Sequence, residues 1–384
     1  MHFNMILPGL EEVTVIKTEI NEGIYEIFIE MPLKVHRCPS CLEETARVHD
    51  YRIQRIKHLK MAERQTNIIY RKRRYACSCG KRFYEENPCV DRYQHHSKEW
   101  NQQVQIRTVK AKTFTEIAAQ YNSSVSTIIR RFDRLVPKAL KEPTDLPKAI
   151  AIDEFKGDTG REKYQLIIAD AVTREPIDIL PNRRKETIKD YLRKYGANVQ
   201  VVVMDMSQAF KAAVTQAMDG PVIVADSFHF VRYMNWALDK VRVREQNEWH
   251  AYDRKKCKKK RYVSFSSELK AAYELKEEFY QWFYASKEKG SKHIKEIKEG
   301  LNALLEKMDQ CGIPELIRTA QTYRNWETEI LNRFVFDYSN GFVEGLNNLT
   351  KVIKRNGFGY RNFIRFRARI LLYHQYKKIG NSIG

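Results

Sequence analysis

Three short apolar runs in the middle of the chain each end in an aspartate, and this pattern restricts the fold more than any other sequence feature. The runs are 149–155 with Asp153, 201–205 with Asp205, and 222–226 with Asp226. Apolar runs of this length, bounded by polar residues, predict strands. One interpretation is that the three acids form a metal-binding centre. The other is that they are ordinary acids at exposed strand ends.

The order of elements around these runs predicts one kind of sheet. After strand 149–155 come strands 163–170 and 176–180, joined by short turns that favour an antiparallel meander. A helix at 183–195, strand 199–205, a helix at 207–218 and strand 221–226 follow. This order is similar to that of ribonuclease-H-like domains, which have a mixed sheet with helices on both faces. It requires the first and fourth strands to be neighbours, so that Asp153 and Asp205 meet at one edge of the sheet.

A long helical region follows the last of these strands. From about residue 229 to residue 335 strand signals disappear, and segments such as 268–284 and 292–308 predict amphipathic helices. We interpret the region as an all-helical insertion that precedes Glu344, with Trp326 as a core residue. Its run 254–261 holds seven Lys or Arg in eight positions. The run is either a DNA-contacting edge or a solvated loop.

Near the N-terminus, two cysteine pairs predict a structural zinc site with four thiolate ligands, Cys38, Cys41, Cys77 and Cys79. A β-hairpin is predicted over residues 11–31, before the first pair. The second pair has one spacer residue rather than two, so four other residues remain as substitute ligands: His36, His49, His58 and Cys89. Unpaired buried thiols are the alternative to a zinc site.

Residues 100–132 predict three helices. Trp100 and Val104 mark the first, Thr113 or Thr115 caps the second, and Ser124 caps the third. The short polar turn between the last two helices is typical of a helix-turn-helix, and a plain helical hairpin is the alternative. In a helix-turn-helix, the residues facing the major groove would be Ser126, Thr127, Arg130 and Arg131. Three prolines at 137, 143 and 147 predict a linker and a domain boundary near 145.

Basic residues are concentrated in a chain whose formal net charge is +20. Residues 52–82 hold eleven Lys or Arg against one acid, and residues 351–378 hold nine and no acid. The run 254–261 is a third cluster. Basic clusters interleaved with aromatic residues indicate a polyanionic partner, and solvated faces could explain one cluster but not all three. The basic strand 68–75 is predicted to lie along phosphates through Arg71, Lys72, Arg73 and Arg74.

Other features argue against secretion and membrane insertion. No apolar run approaches the roughly 18 to 20 residues of a membrane span. The first residues do not have the pattern of a signal peptide. Seven cysteines at uneven spacing do not suggest a disulfide framework. We therefore expect a cytosolic protein that binds DNA or RNA and has no membrane partner.

Taken together, these motifs resemble the ISL3 class of bacterial insertion-sequence transposases, which belong to the DDE group. The resemblance rests on the two cysteine pairs and on residues 151–155, 203–207, 225–229, 339–348, 351–355 and 359–363. It extends over nearly the whole length. The match around Glu344 is long and gap-free, which makes chance a poor explanation.

The resemblance implies DNA transposition with two Mg²⁺ (or Mn²⁺) ions per active site. Asp153 would bridge both ions, while Asp205 and Glu344 each complete one side. Asp226 and His229 match an Asp-x-x-His signature and receive supporting roles. Asp226 is also the main rival of Asp205 as second ligand, and a satisfied core histidine is the alternative for His229.

The implied partners are double-stranded DNA, as terminal inverted repeats and as target, and further copies of the chain in a homodimer or larger assembly on DNA. The expected location is the bacterial cytoplasm, at the nucleoid. Contacts with phosphates near the scissile bond would come from Lys351, Lys354, Arg355 and Arg361. Two other functions remain possible interpretations: a DNA-binding regulator with an inactive nuclease-like domain, and a structure-selective nuclease.

We expect a multidomain α+β chain in five parts. They are a hairpin and zinc-binding β module at 1–92, a helix-turn-helix at 93–140, the first part of a ribonuclease-H-like catalytic core at 148–230, the helical insertion at 231–335, and the C-terminal part of the core, carrying Glu344, at 336–384.

Overall fold

The computed structural model describes residues 13–110, 113–247 and 266–381. It divides the chain into two compact units, Met1–Leu140 and Lys141–Gly384. This division lies close to the boundary predicted near residue 145. The basic run 254–261 lies outside the described residues.

The first unit is built on a five-stranded sheet. Its strands are β1 (Thr14–Asn21), β2 (Ile24–Glu30), β5 (Val48–Met61), β6 (Arg64–Ala76) and β7 (Arg82–Tyr84), and a separate two-stranded sheet consists of β3 (His36–Arg37) and β4 (Glu44–Thr45). The order is β1-β2-β6-β5, with β7 paired to β6. β1 and β2 form the predicted hairpin. One face of the sheet buries Ile27, Ile56, Ile68 and Tyr70.

Arg73 on β6 is part of the interior of this unit, because its side chain is only 6% exposed. Its guanidinium pairs with Glu30 at 2.6 Å and with Glu85 at 3.6 Å, and the Tyr70 hydroxyl donates to Glu85 at 2.6 Å. A buried charge needs such partners, since removal from water is costly. The prediction that Arg73 contacts phosphates is therefore wrong. The neighbouring Arg71, Lys72 and Arg74 are exposed or partly exposed.

Three helices complete the first unit: α1 (Lys98–Val109), α2 (Phe114–Gln120) and α3 (Val125–Ala139). The hydroxyls of Thr113 and Ser124 accept hydrogen bonds from the backbone N–H groups of the first turns of α2 and α3. These are two of the caps predicted from the sequence. Trp100, Ile117 and Ile128 form the small core that holds the three helices together.

The second unit contains the sheet with the three aspartates. Its strands are β8 (Ala149–Phe155), β9 (Gln165–Asp170), β10 (Pro176–Leu180), β11 (Val201–Met204) and β12 (Val222–Ala225), in the order β10-β9-β8-β11-β12. β8, β9 and β10 form the predicted antiparallel meander. β11 is parallel to both β8 and β12. The predicted adjacency of the first and fourth strands is thus present.

Helices cover both faces of this sheet. They are α4 (Lys185–Tyr195), α5 (Gln208–Ala217), α6 (Ser227–Asn247), α7 (Ser267–Lys289), α8 (Ile294–Gln310), α9 (Pro314–Asn325), α10 (Glu327–Val335), α11 (Gly341–Asn356) and α12 (Phe363–Asn381), with a 3₁₀ turn at Ser291–His293. Alternate strand residues point to opposite faces. Ile150 and Val202 pack in a core with α4 to α10, and Ala151 and Val203 pack in a core with α11 and α12. Trp326 is buried in the first core, as predicted.

Between β12 and α11 the described residues form helices only, as the sequence predicted. These helices, α6 to α10, share their hydrophobic core with the sheet. Two hydrogen bonds add to this packing: the Tyr323 hydroxyl donates to the carbonyl of Phe230, and the Asn332 amide donates to the carbonyl of Ile223. No helix in the described ranges is long and apolar enough to cross a membrane.

Candidate metal centre and DNA-contacting surfaces

The register of three parallel strands brings the three aspartates to one end of the sheet. Ala151 on β8 pairs with Val203 on β11, which pairs in turn with Val224 on β12. Two residues beyond each member of this row come Asp153, Asp205 and Asp226. Side chains two residues apart on an extended chain point to the same side. The carboxylates therefore leave three neighbouring strands at their carboxyl ends, where open α/β sheets commonly bind ligands.

Asp153 is the most constrained of the three acids. One carboxylate oxygen accepts the backbone N–H of Glu154 at 2.8 Å, and the other accepts the side-chain amide of Asn347 at 2.7 Å. Burial, together with the charge of Asp205, raises the pKa of Asp153 to about 7. Burial also raises the pKa of Asp226, and Asp205 adds to this effect. The centre thus concentrates negative charge in a poorly solvated place.

His229, in the first turn of α6, lies against the acids. Its Nε2 is 2.7 Å from Oδ1 of Asp205 and 3.9 Å from Oδ2 of Asp226. Its Nδ1 is 2.8 Å from Nη2 of Arg232. A guanidinium can only donate, so Nδ1 accepts and the imidazole proton resides on Nε2, facing the acids. His229 is therefore not an isolated core histidine but a member of the acidic cluster.

The donor set fits a divalent cation that prefers oxygen ligands. Ligand atoms of Asp205, Asp226 and His229 all lie within 4.8 Å of one another. Oδ1 of Asn347 is buried and forms no hydrogen bond with the described residues. Mg²⁺ and Mn²⁺ bind carboxylate and amide oxygens, and their charge would offset the repulsion that raises the pKa of Asp153.

Glu344 and Asn347 lie one turn apart on α11, and the side-chain amide of Asn347 donates to Asp153. Glu344 is exposed, and its carboxylate is not part of the Asp205–Asp226–His229 group. Asn347 was not predicted from the sequence. Residues three apart on a helix lie on the same face, but the sequence does not specify which face turns toward Asp153.

The four predicted zinc ligands converge in the first unit. Sγ of Cys38 is 3.7 Å from Sγ of Cys79, Sγ of Cys41 is 3.4 Å from Sγ of Cys77, and all four lie within 4.8 Å of one another. A tetrahedral zinc with bonds of about 2.3 Å requires sulfurs about 3.8 Å apart. The backbone N–H of Cys79 and the hydroxyl of Ser78 lower the pKa of the Cys77 thiol to about 6. This geometry suits a structural zinc ion.

The four substitute ligands have other surroundings. His58 is buried and hydrogen-bonds Ser97 at 2.8 Å, and Cys89 belongs to the core of the sheet. The ring of His36 packs on Tyr75. Nδ1 of His49 is 3.0 Å from a carboxylate oxygen of Asp50. None of the four belongs to the cysteine group.

On α3, the predicted groove-facing residues divide into two sets. Ser126 and Arg130 are exposed, and the Thr127 hydroxyl lies 2.9 Å from that of the capping Ser124. Arg131 instead turns toward the protein and donates to Oε1 of Gln94 at 2.6 Å, while its Nε is buried. The prediction for Arg131 is therefore corrected. Arg134, one turn after Arg130, is exposed and was missed.

The basic residues around α11 are mostly available to a ligand. Lys351, Arg355 and Arg361 are exposed. Nζ of Lys354 lies 2.6 Å from a carboxylate oxygen of Asp158, and this hydrogen bond lowers the pKa of Asp158. Three of the four residues predicted to contact phosphates are therefore exposed to solvent.

Comparisons with known proteins agree with this arrangement. A family model described as "Transposase" for the ISL3 group matches residues 150–268 and 263–370. A model for the zinc-finger of transposases IS204, IS1001, IS1096 and IS1165 matches residues 34–79, and a model for the helix-turn-helix domain of transposase family ISL3 matches residues 85–136.

Two relatives were found in addition. The chain is 25% identical over 377 residues to the transposase for insertion sequence element IS1001 of Bordetella parapertussis, a match that covers 89% of this chain and 90% of the relative. It is also 34% identical over 123 residues to a protein of Lactococcus lactis subsp. lactis named ATP-dependent protease, with 32% and 34% covered. The transposase model alone covers more than half of the chain. The chain belongs to the ISL3 family of transposases.

Proposed function

We propose that this transposase binds the terminal inverted repeats of its element and cuts and joins DNA strands by a DDE two-metal mechanism. The single observation that carries the proposal is the alignment of Asp153, Asp205 and Asp226 at the ends of adjacent parallel strands, with His229 against them. The strand order supports a ribonuclease-H-like core, and α6 to α10 correspond to the helical insertion within it.

In this proposal Asp153, Asp205 and Glu344 would hold divalent metal ions. Bound there, the ions would supply Lewis-acid chemistry for phosphodiester cleavage and strand joining. Asn347 fixes the orientation of the Asp153 carboxylate through its 2.7 Å hydrogen bond. The Nε2–H group of His229 holds the Asp205 carboxylate in place and provides a proton donor in the site. Asp226 adds negative charge beside His229.

The first unit supplies recognition of the DNA ends. Ser126, Arg130 and Arg134 present an exposed polar face of α3 that suits the major groove. Lys72 and Arg74 on the zinc-bearing sheet, with Lys351, Arg355 and Arg361 near α11, suit phosphates. We propose that the protein acts as a homodimer or larger assembly on DNA at the bacterial nucleoid, with the five-part domain division given above.

One experiment separates this function from its rivals. The full-length protein is incubated with Mg²⁺ and DNA that carries the ends of the element, and all nicks and joints are mapped. The transposase proposal expects cuts at the ends and joined products. Binding without cutting would indicate a regulator with an inactive nuclease-like domain. Cutting of branched DNA without preference for the ends would indicate a structure-selective nuclease.

We expect Arg130→Ala to weaken binding to end DNA by about tenfold, because a bidentate arginine contact with a base contributes roughly 1–3 kcal/mol. Binding to an unrelated duplex should change much less. Fluorescence anisotropy at fixed salt measures both affinities, and Lys138→Ala in the last turn of α3 is a control with the same change of charge. An equal loss on both duplexes would show that Arg130 contacts only phosphates.

Asn347→Ala should slow strand cleavage about 10- to 100-fold, the usual effect of removing a residue that orients a metal ligand. End binding should not change. Cleavage under single-turnover conditions measures the effect, with the adjacent exposed Asn348→Ala as the control. Equal rates for the two variants would remove Asn347 from the site.

A further inference from the structure

The turn that ends α11 carries a phenylalanine ring on the outside of the protein. α11 ends at Asn356, and the side chain of Phe358 is 91% exposed. The backbone of Phe358 has a φ of +52°, in the left-handed region that bulky residues rarely adopt. The ring therefore contributes little to packing, while the backbone beneath it is in a conformation that costs free energy.

The end of the helix explains this backbone conformation but not the choice of residue. The N–H of Phe358 donates to the carbonyl of Arg355 at 3.0 Å, and the N–H of Gly359 donates to the carbonyl of Lys354 at 3.0 Å. These two bonds form a Schellman motif, in which the position of Phe358 is usually occupied by glycine. Glycine adopts a positive φ without steric cost. Since folding would favour glycine here, the ring points to a role in binding.

The turn is anchored beneath the exposed ring. The Thr159 hydroxyl donates to the carbonyl of Tyr360 at 2.5 Å, and the ring of Tyr360 packs on Phe366 with 4.9 Å between their centroids. A Cβ atom at Gly357 would lie 2.7 Å from the ring of Tyr360, so only glycine permits this close approach. The residues on both sides of Phe358 thus hold the turn on the body of the second unit, and the ring of Phe358 projects from it.

The charges around the ring select a polyanionic partner. Glu344, Lys351 and Arg355 are exposed, and their spacing of seven and four residues places them on one face of α11. Arg361, three residues after Phe358, is also exposed. No residue of the sequence after Glu344 is acidic. An exposed aromatic ring between basic side chains suits a nucleic acid, because phosphates can meet the charges while bases meet the ring.

We propose that Phe358 is a wedge that enters double-stranded DNA between two base pairs, while Arg355 and Arg361 contact neighbouring phosphates. The inference rests on the proposed function, which places the duplex at the metal centre. Inserted apolar side chains partly unstack a base step and kink the duplex. A helix rises about 1.5 Å per residue, so Phe358 lies about 16 Å along α11 from Asn347. The distorted step should therefore lie about five base pairs from the cut, at about 3.4 Å per base pair.

The test follows unstacking directly, with a fluorescent adenine analogue that brightens when it is unstacked. The analogue replaces one adenine at a time in DNA that carries the ends of the element, and full-length protein is added without Mg²⁺. Fluorescence should rise at one step with the unaltered protein. Phe358→Gly should lose this rise and bind the ends about tenfold more weakly, as for other aromatic side chains that stack on bases. Phe358→Leu keeps an apolar wedge and should retain most of both signals.

The control variant is Ile364→Ala, which removes another exposed apolar side chain, on α12, and should change neither signal. An abasic position at the distorted step should reduce the binding difference between Phe358→Gly and the unaltered protein, because less stacking remains to be broken. Phe358→Gly should also melt at the same temperature as the unaltered protein or higher. A lower melting temperature with an unchanged fluorescence rise would show that Phe358 serves the fold instead.

The outcomes separate this inference from the proposed function. Cutting at the ends with no fluorescence change at any position would overturn the wedge alone. A fluorescence rise that depends on Phe358, without any cutting once Mg²⁺ is added, would support the wedge and contradict the proposed chemistry. Failure of the unaltered protein to bind the ends would overturn both.

Discussion

We expect Asp153→Asn to abolish strand cleavage at the ends of the element and to leave end binding intact. The amide keeps the size of the side chain but removes the negative charge that would help to hold divalent ions, and metal ions of this kind contribute several kcal/mol to phosphodiester cleavage. We expect the rate to fall about a thousandfold or more, since each 1.36 kcal/mol corresponds to a factor of ten. Mapped cleavage with Mg²⁺ or Mn²⁺ measures the loss.

Glu154→Gln is the matched control for this variant. Glu154 is the next residue on β8, and its carboxylate pairs with Arg183 rather than with the acidic centre. It should keep nearly full activity. Asp205→Asn and Glu344→Gln are expected to behave like Asp153→Asn. Normal cutting by any one of the three would remove that residue from the proposed set of metal ligands.

The same variant should make the metal-free protein more stable. Because the folded protein raises the pKa of Asp153 from 3.8 to about 7, ionisation of this carboxyl opposes folding. Below about pH 4 the group is protonated in both states, so Asp153→Asn changes little; the gain develops between pH 4 and pH 7 and stays above pH 7. It amounts to ~4 kcal/mol at pH 8, from a shift of about three pKa units at 1.36 kcal/mol each.

Calorimetry of the metal-free proteins at pH 4 and pH 8 measures this gain. Mg²⁺ should then raise the melting temperature of the unaltered protein and not that of the variant, because a ligand stabilises only the state that binds it. A variant that melts below the unaltered protein at pH 8 would mean that Asp153 is held by contacts that favour its charged form.

We expect Cys77→Ser to abolish zinc binding and to unfold the region around the cysteine pairs. The serine hydroxyl is a poor zinc ligand, and structural zinc contributes about 10–16 kcal/mol of apparent free energy in small zinc domains. We expect less than 0.1 zinc per chain, compared with one for the unaltered protein, as an order-of-magnitude expectation for a broken four-thiolate site. Metal analysis by mass spectrometry gives the content.

End binding should weaken at least about tenfold in the zinc-free variant, because the basic strand β6 ends at the cysteine pair. Cys89→Ala provides the control: this cysteine is equally buried but belongs to the apolar core rather than to the four-sulfur group. It should retain one zinc per chain. Full zinc content in Cys77→Ser would show that another residue completes the site.

The sequence predicted the strands of the sheet in the second unit well, because each was a short apolar run with polar residues on both sides. The meander followed from its short connections, and the adjacency of the first and fourth strands followed from the likeness to ribonuclease-H-like domains. The sequence did not predict that Asp226 lies level with Asp153 and Asp205 at the end of the sheet. The register between β11 and β12 depends on their main-chain pairing, and the sequence of one strand alone does not specify it. Asp205 was therefore ranked ahead of Asp226 as the second metal ligand without knowledge of this register.

Two kinds of information were missing for the side chains. The motif around Glu344 specified a helix but not its rotation about its own axis, so Asn347 was overlooked as the residue that reaches Asp153. For the basic residues, the sequence showed that they are clustered but not which residues far along the chain would pair with them. Arg73 pairs with Glu30 on another strand and is buried, and Arg131 donates to Gln94 in a loop and is half-buried.

The core shared by the sheet and by α6 to α10 has a consequence for mutational tolerance. Leu301, Ala320 and Phe279 are as fully buried as the strand residues Ile150 and Val202, and all belong to one cluster. A polar substitution at any of them leaves a cavity or an unpaired group in the same interior. In a complete mutational scan, the buried positions of these helices should therefore be as intolerant as the catalytic strands. Exchange of α6 to α10 for the corresponding helices of a relative would therefore require exchange of the sheet residues that they pack against.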